Sequence, residues 1–275
     1  MNSTPDETTP TTDSPRPKAR TAPTRGAPEP DLVLRYGNGE NHLIDVHLPP
    51  GPAAPAPVLV LLHGGFWRSR VDRTHTRRLA HAFRTSGWVV ATPEYSRSNV
   101  DAGVTGWPTT FDDIAAVRDR LPSLLTETVP TRVEAGAMTL LGHSAGGHLA
   151  LWWALTADHS QHPARVVALA PVADLARAYT DDLGDSAVRD FLGGGPGDYP
   201  DRYTYADTAP MLADYRGPAD LRVLHGAKDQ QVPVEHSREL TCVSYTEIAS
   251  ANHFALIDPT SPAWPQLLAA VRGGD

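Results

Sequence analysis

Cysteine is almost missing from this chain. Of its 275 residues only Cys242 is one, so no disulfide can form within it, and a reducing compartment is the expectation. Long apolar runs are missing as well: none approaches the roughly 18 residues needed to cross a bilayer. The N-terminus has no apolar stretch of the kind that a secretory signal carries, so the expected location is cytoplasmic. Positive charge is in deficit, with 24 Lys and Arg against 32 Asp and Glu and a net charge of −8. That argues against the basic face on which nucleic-acid binding depends. Neither a nucleic acid nor a membrane is expected as partner; a small-molecule substrate is, and the oligomeric state stays open. The histidines do not show metal-ligand spacing. His75 and His81, close together in "HTRRLAH", read as residues on a helix surface, and neither metal nor cofactor is expected. There is no internal repeat.

The first thirty residues are rich in Pro and Thr and nearly free of large apolar side chains. Such a segment cannot bury enough surface to offset its chain entropy, so it is expected to be a disordered tail, with the folded domain over residues 31–275. From Leu32 the pattern alternates. "LVLRYG" and "HLIDVHLP" form a hairpin-like pair, and "APVLVLLHGGFW" is an apolar run ending in glycines, the mark of a strand buried on both faces. Further strands are expected in "WVVATPEY", "AMTLLGHS", "ARVVALAPV", "DLRVLHGAKD" and "CVSYTEIAS". Helical patterns separate them, including one over "TTFDDIAAVRDRLPSLLTE" with Thr109 or Thr110 as N-cap and one over "AGGHLALWWALTA". Strands alternating with helices predict an α/β fold with a mostly parallel sheet and helices on both faces. About forty residues, 174–215, exceed an ordinary connection and are expected to form a small cap over the carboxyl edge of the sheet.

Chemistry concentrates at "LLGHSAGG". Gly142-His143-Ser144-Ala145-Gly146 matches G-x-S-x-G with a strand before it and a helix after it. A nucleophilic serine in that context sits on a tight, strained turn, which explains the small residues two positions away on each side. A serine hydroxyl needs a base, and the base needs an orienting acid. Asp229, past the strand in "DLRVLHGAKD", and His253, past the last strand, have the positions and the order. Asp220 and Asp258 are the competing acids, and His225 and His236 the competing bases. His225, within a strand end, reads as a packed histidine, and His148 as a helix residue facing solvent or core. "HGGFW", residues 63–67, ends the first buried strand where backbone amides can face a developing oxyanion. The expected donors are Gly65 and Phe66, with Gly64 beside them, and Ala145 after the serine; His63 is expected to brace the loop. Phe66, Trp67 and Tyr95, with Trp107 and Tyr179 as further candidates, are expected to line an aromatic substrate pocket, and Trp152 and Trp153 to lie in the core.

On these motifs the chain from about Leu32 onward resembles the α/β-hydrolase superfamily. "HGGFW" followed by "GHSAGGHLAL" resembles the kynurenine formamidase (arylformamidase) branch, in which H-G-G-x-W forms the oxyanion hole. It is also similar to the hormone-sensitive-lipase-like esterases, which usually carry a third glycine in place of Phe66 and an Asp in place of His143. The resemblance implies a serine hydrolase acting on a small formamide or ester through an acyl-enzyme, with an aryl formamide foremost. A general short-chain carboxylesterase is the alternative within enzymes, and a non-catalytic ligand-binding homologue the alternative outside them.

Overall fold

The computed structural model describes residues 27–134, 136, 138–158 and 160–274. The disordered tail expected at the N-terminus lies, but for residues 27–30, outside them. β1 (Leu32–Arg35) and β2 (Leu43–His47) form the antiparallel hairpin, and β3 (Val58–Leu62) follows. A short 3-10 turn (Arg73–Thr76) leads into α1 (Arg77–Thr85), β4 (Val89–Pro93) and α2 (Thr109–Thr128). Then come β5 (Thr139–His143), α3 (Ala145–Thr156) and β6 (Arg165–Leu169). Four short helices follow: α4 (Leu175–Thr180), α5 (Ala187–Leu192), α6 (Pro200–Ala206) and α7 (Thr208–Ala213). The chain closes with β7 (Asp220–Gly226), α8 (Glu235–Arg238), β8 (Ser244–Ile248) and α9 (Trp264–Arg272).

The strands make one sheet in the order β1-β2-β4-β3-β5-β6-β7-β8. Pairing is antiparallel only at β1–β2 and β2–β4 and parallel from β4 through β8. β3 shows why its sequence is apolar throughout. Val58, Val60 and Leu62 face one core with α2, α3 and the four short helices, while Leu59 and Leu61 face a second core with α1 and α9. Parallel strands covered on both faces need apolar residues at every position, and alternation disappears. α3 is buried all round because it lies between the sheet and the four short helices; Trp152 and Trp153 are both in the core.

The expected cap of α2 is corrected. The helix starts at Thr109, Pro108 precedes it, and the hydroxyl of Thr110 donates to Ser96 O at 2.6 Å, away from the helix's own amides. The insertion between β6 and β7 holds the four short helices, pinned from beneath. Asp207 accepts from the amides of Leu175 and Ala176, each at 3.0 Å, which satisfies donors at the start of α4 from outside that helix. Two bonds tie the insertion to α3, His148 Nε2 to Ala206 O at 2.8 Å and Trp152 Nε1 to Tyr205 O at 3.0 Å. No helix of the described residues is long and apolar enough to cross a membrane.

Candidate active site

The turn between β5 and α3 places Ser144 at φ 56°, ψ −118°, a backbone conformation that L-residues rarely adopt. Neighbouring glycines make it possible. A Cβ on Gly142 would collide with the carbonyl oxygen of Gly146, and one on Gly146 with the carbonyl oxygens of Leu62 and His63. The elbow therefore presses directly against the end of β3. The amide of Ser144 donates to Leu169 O at 2.8 Å, hooking the turn to β6. Ala145 begins α3, so its amide sits at the positive end of a 12-residue helix.

Opposite the serine runs the loop after β3. Gly64 abuts it: a Cβ there would stand 3.1 Å from Ser144 Cβ. Gly65, Phe66 and Trp67 follow with φ of 112°, 53° and 52°, three consecutive left-handed residues. Two of them carry large side chains, so the conformation costs on the order of 1–3 kcal/mol at each and must be held from outside. The amides of Gly65, Phe66 and Ala145 donate to no acceptor among the described residues.

Two groups of contacts hold the loop. Behind it, His63 is fully buried, with Nδ1 donating to Gly64 O at 2.8 Å and Nε2 3.0 Å from Glu94 Oε1. Tyr95 stacks on His63 at 4.3 Å, and its hydroxyl donates to His63 O at 2.6 Å. Glu94 also accepts from the amide of Arg73 at 3.0 Å and from the guanidinium of Arg97 at 2.7 Å. Burial pushes the Glu94 carboxyl up, but the His63 charge and hydrogen bond, Arg97 and the Arg73 amide outweigh it and hold it at about 2. In front, the insertion grips the loop at three successive residues. Phe66 lies against Gly184, Trp67 stacks on Phe191 at 4.4 Å, and Arg68 pairs with Asp190 at 2.6 Å.

The acid and base come from the ends of β7 and β8. His253 Nδ1 lies 2.6 Å from Asp229 Oδ2. An ionised carboxylate only accepts, so Nδ1 carries the proton and Nε2 is left as the basic atom; this tautomer follows from the bonding pattern. Asp229 Oδ1 accepts from the amides of Gln231 and Val232 at 2.8 and 3.0 Å. Burial raises the carboxyl, and hydrogen bonds from His225 and His253 with the His253 charge overcome it, keeping it well below the usual carboxylate range. The ring of His143 lies 4.4 Å from that of His253, and its Nε2 donates to His253 O at 3.0 Å. His253 is thereby held beside the residue that precedes Ser144. Burial, aided by the charge of His253, keeps His143 neutral.

The structure thus joins Asp229 to His253, sets His253 beside His143 of the serine turn and sets Gly64 against Ser144, with Gly65, Phe66 and Ala145 next to these in the chain. Of the competing groups, His225 lies 3.2 Å from Asp229 on the side of its own strand end, and the others stand elsewhere. Asp220 begins β7 and pairs with Arg165 and Arg222 at 2.8 and 2.9 Å, and Asp258 closes a turn onto Thr260. His236 binds Asp181 at 2.9 Å. Four expectations are corrected. Trp67 and Tyr95 have no exposed surface, because one stacks into the insertion and the other onto His63; they support the loop and offer nothing to a substrate. His75 and His81 are not surface residues but half-buried, with His75 edge-on to Phe254 at 6.5 Å and burial lowering it to about 4. Sequence reasoning missed Glu94, whose one signal was a lone acid at the end of a largely apolar strand, and the contact of His225 with Asp229, described below.

A mostly parallel sheet of this order, with a strained serine after β5, an acid after β7 and a histidine after β8, defines an α/β-hydrolase fold. Within that class the chain belongs to the BD-FAE family, whose model matches residues 44–243. It is 28% identical over 256 residues to Esterase LipQ of Mycobacterium tuberculosis, covering 80% of this chain and 56% of that protein. It is also 28% identical over 148 residues to kynurenine formamidase of Salmo salar, covering 53% of this chain and 45% of that one. The chain therefore spans about half the length of these curated relatives. The crystal structure of Esterase B from Lactobacillus rhamnosis superposes with a TM-score of 0.71 at 18% identity, over 90% of this chain and 86% of that one.

Proposed function

We propose that this chain is a serine hydrolase that cleaves small carboxylic esters or formamides through an acyl-enzyme, with an aryl formamide as the preferred substrate class. The observation that carries the reading is the 2.6 Å bond from His253 Nδ1 to Asp229 beside a serine held at φ 56°. Ser144 Oγ attacks the carbonyl carbon while His253 Nε2 takes its proton. Asp229 holds the tautomer and stabilises the imidazolium, and the amides of Gly65, Phe66 and Ala145 receive the oxyanion. His253 gives the proton to the leaving alcohol or amine, and water resolves the acyl-enzyme by the same steps reversed in role.

Formamide preference rests on the bulk of Phe66, where the hormone-sensitive-lipase-like esterases that the motif resembles usually carry a glycine, and on the likeness to a kynurenine formamidase. Esterase LipQ, matched over more of the chain, favours the ester reading. A panel of N-formylkynurenine and p-nitrophenyl acetate, butyrate and octanoate separates the two by kcat/KM. One methylene in an apolar pocket is worth about 1–3 kcal/mol, so activity is expected to fall stepwise with chain length. A maximum at butyrate or longer without formamidase activity would reject the formamide reading and keep the esterase one.

A further inference from the structure

The end of β7 holds a second histidine on the acid. His225 is fully buried, with Nδ1 2.7 Å from Ser237 Oγ and Nε2 3.0 Å from Val232 O. Its Nε2 is also 3.2 Å from Asp229 Oδ2, the oxygen that His253 binds. A backbone carbonyl only accepts, so Nε2 carries the proton and Nδ1 takes the proton of the Ser237 hydroxyl. The ring thus has one tautomer, set from α8. We propose that His225 is a positioning residue for the catalytic acid: its Nε2–H, shared between Val232 O and Asp229 Oδ2, fixes the carboxylate that orients His253.

A histidine that only filled the core would need no more than the Val232 carbonyl for its donor. Here the same ring nitrogen also stands 3.2 Å from the carboxylate, beside the three donors that Asp229 has from Gln231, Val232 and His253. Donation by His225 also draws charge from Oδ2, so Asp229 stabilises the imidazolium of His253 less than a carboxylate without that donor would. Removing the donor makes His253 ionise at higher pH. Other charged groups around His225 are Glu247, its partner across β7 and β8, and Arg238 of α8, which binds Glu247 at 2.8 Å. His236 of the same helix pairs with Asp181. None of these is altered in the variants below.

The inference rests on the proposed function, and the test separates the two. The pH profile of kcat and KM is measured on the full chain for wild type, His225→Phe, His225→Gln and Ser237→Ala, with Ser144→Ala as control. His225→Phe is expected to lower kcat about tenfold, leave KM within about twofold and move the acid limb of kcat/KM up by about half a pH unit. His225→Gln, which still carries an N–H, is expected to restore most of the limb, and Ser237→Ala to move it part-way. The downfield proton resonance of His253 Nδ1–H should shift in His225→Phe and return in His225→Gln. A limb that stays at the wild-type pH in His225→Phe, or in Ser237→Ala if the Phe variant does not fold, overturns the inference. So does a Gln variant as displaced as Phe. Full activity in Ser144→Ala overturns the proposed function instead.

Discussion

At the scale of single residues the reading turns on Ser144. Ser144→Ala is expected to abolish both turnover and labelling by a fluorophosphonate probe, with the melting temperature nearly unchanged because the removed atom caps no helix; retained labelling would show another nucleophile. Asp229→Asn should lower kcat by about 10⁴, because the amide favours the wrong tautomer of His253, whereas Asp258→Asn should leave kcat within about twofold. A reversed order would move the acid to the turn at Thr260. Ser144, Asp229 and His253 could be picked out in the sequence because each is a chemistry-bearing residue that follows a strand, in the order that the fold requires. Trp67 and Tyr95 could not be placed, since an aromatic in a loop carries no mark of which way it faces. His225 reaches Asp229 only because residues 226–232 curl back on the strand end, and no pattern in "HGAKDQQ" reports that turn.

At the scale of elements the insertion and the loop after β3 act as one body. Arg68 and Asp190 are both largely buried, which gives the pair more worth than an exposed bridge. Asp190→Ala is expected to lower kcat about tenfold with a small change in KM, and Asp201→Ala, on the exposed start of α6, to change neither. Steady-state kinetics on the two variants checks this, and equal effects would mean that the insertion acts only through stability. Phe191→Ala removes the ring on which Trp67 stacks and should cost about 3–5 kcal/mol in chemical denaturation, the usual range for a buried Phe. The sequence showed that about forty residues interrupt the strand rhythm. It could not show which residues they grip, because the contacts of Phe66, Trp67 and Arg68 span more than a hundred positions. The expected N-cap threonine failed for a related reason: Thr110 found a tertiary acceptor on Ser96 in preference to a local one.

At the scale of the molecule three buried carboxylates shape acid stability: Glu94 and Asp229 are held low, while Asp207, raised to about 6 chiefly by burial, works against them as the pH falls. Glu94 is held at about 2 and Asp229 well below its ordinary range. As the pH falls the unfolded chain takes up protons at these groups first, so unfolding gains. Their contribution is full above about pH 4.5 and is lost as the pH falls through the folded values. For Glu94 this is on the order of 3 kcal/mol. Between pH 6 and pH 3.5 the change in urea midpoint should therefore be less destabilising in Glu94→Gln than in wild type; an equal change in both would remove Glu94 from the account. Chain-wide alternation of strand and helix made the α/β class legible, and the fully apolar strands made the buried sheet legible. Strand order was not, because β4 crosses to the far side of β3, and that depends on how crossovers pack and leaves no trace in either strand.

The run from His63 to Arg68 has a consequence for engineering. Six consecutive residues supply the acceptor for Tyr95, the glycine that abuts Ser144 and the three grips on the insertion. Residues that shape the opening and residues that set the reacting geometry are therefore covalent neighbours and cannot be varied as independent modules. A chimera that receives the insertion of another hydrolase should work only when residues 66–68 are transplanted with it, and directed evolution of substrate range should find its gains in paired changes across positions 66–68 and 184–191.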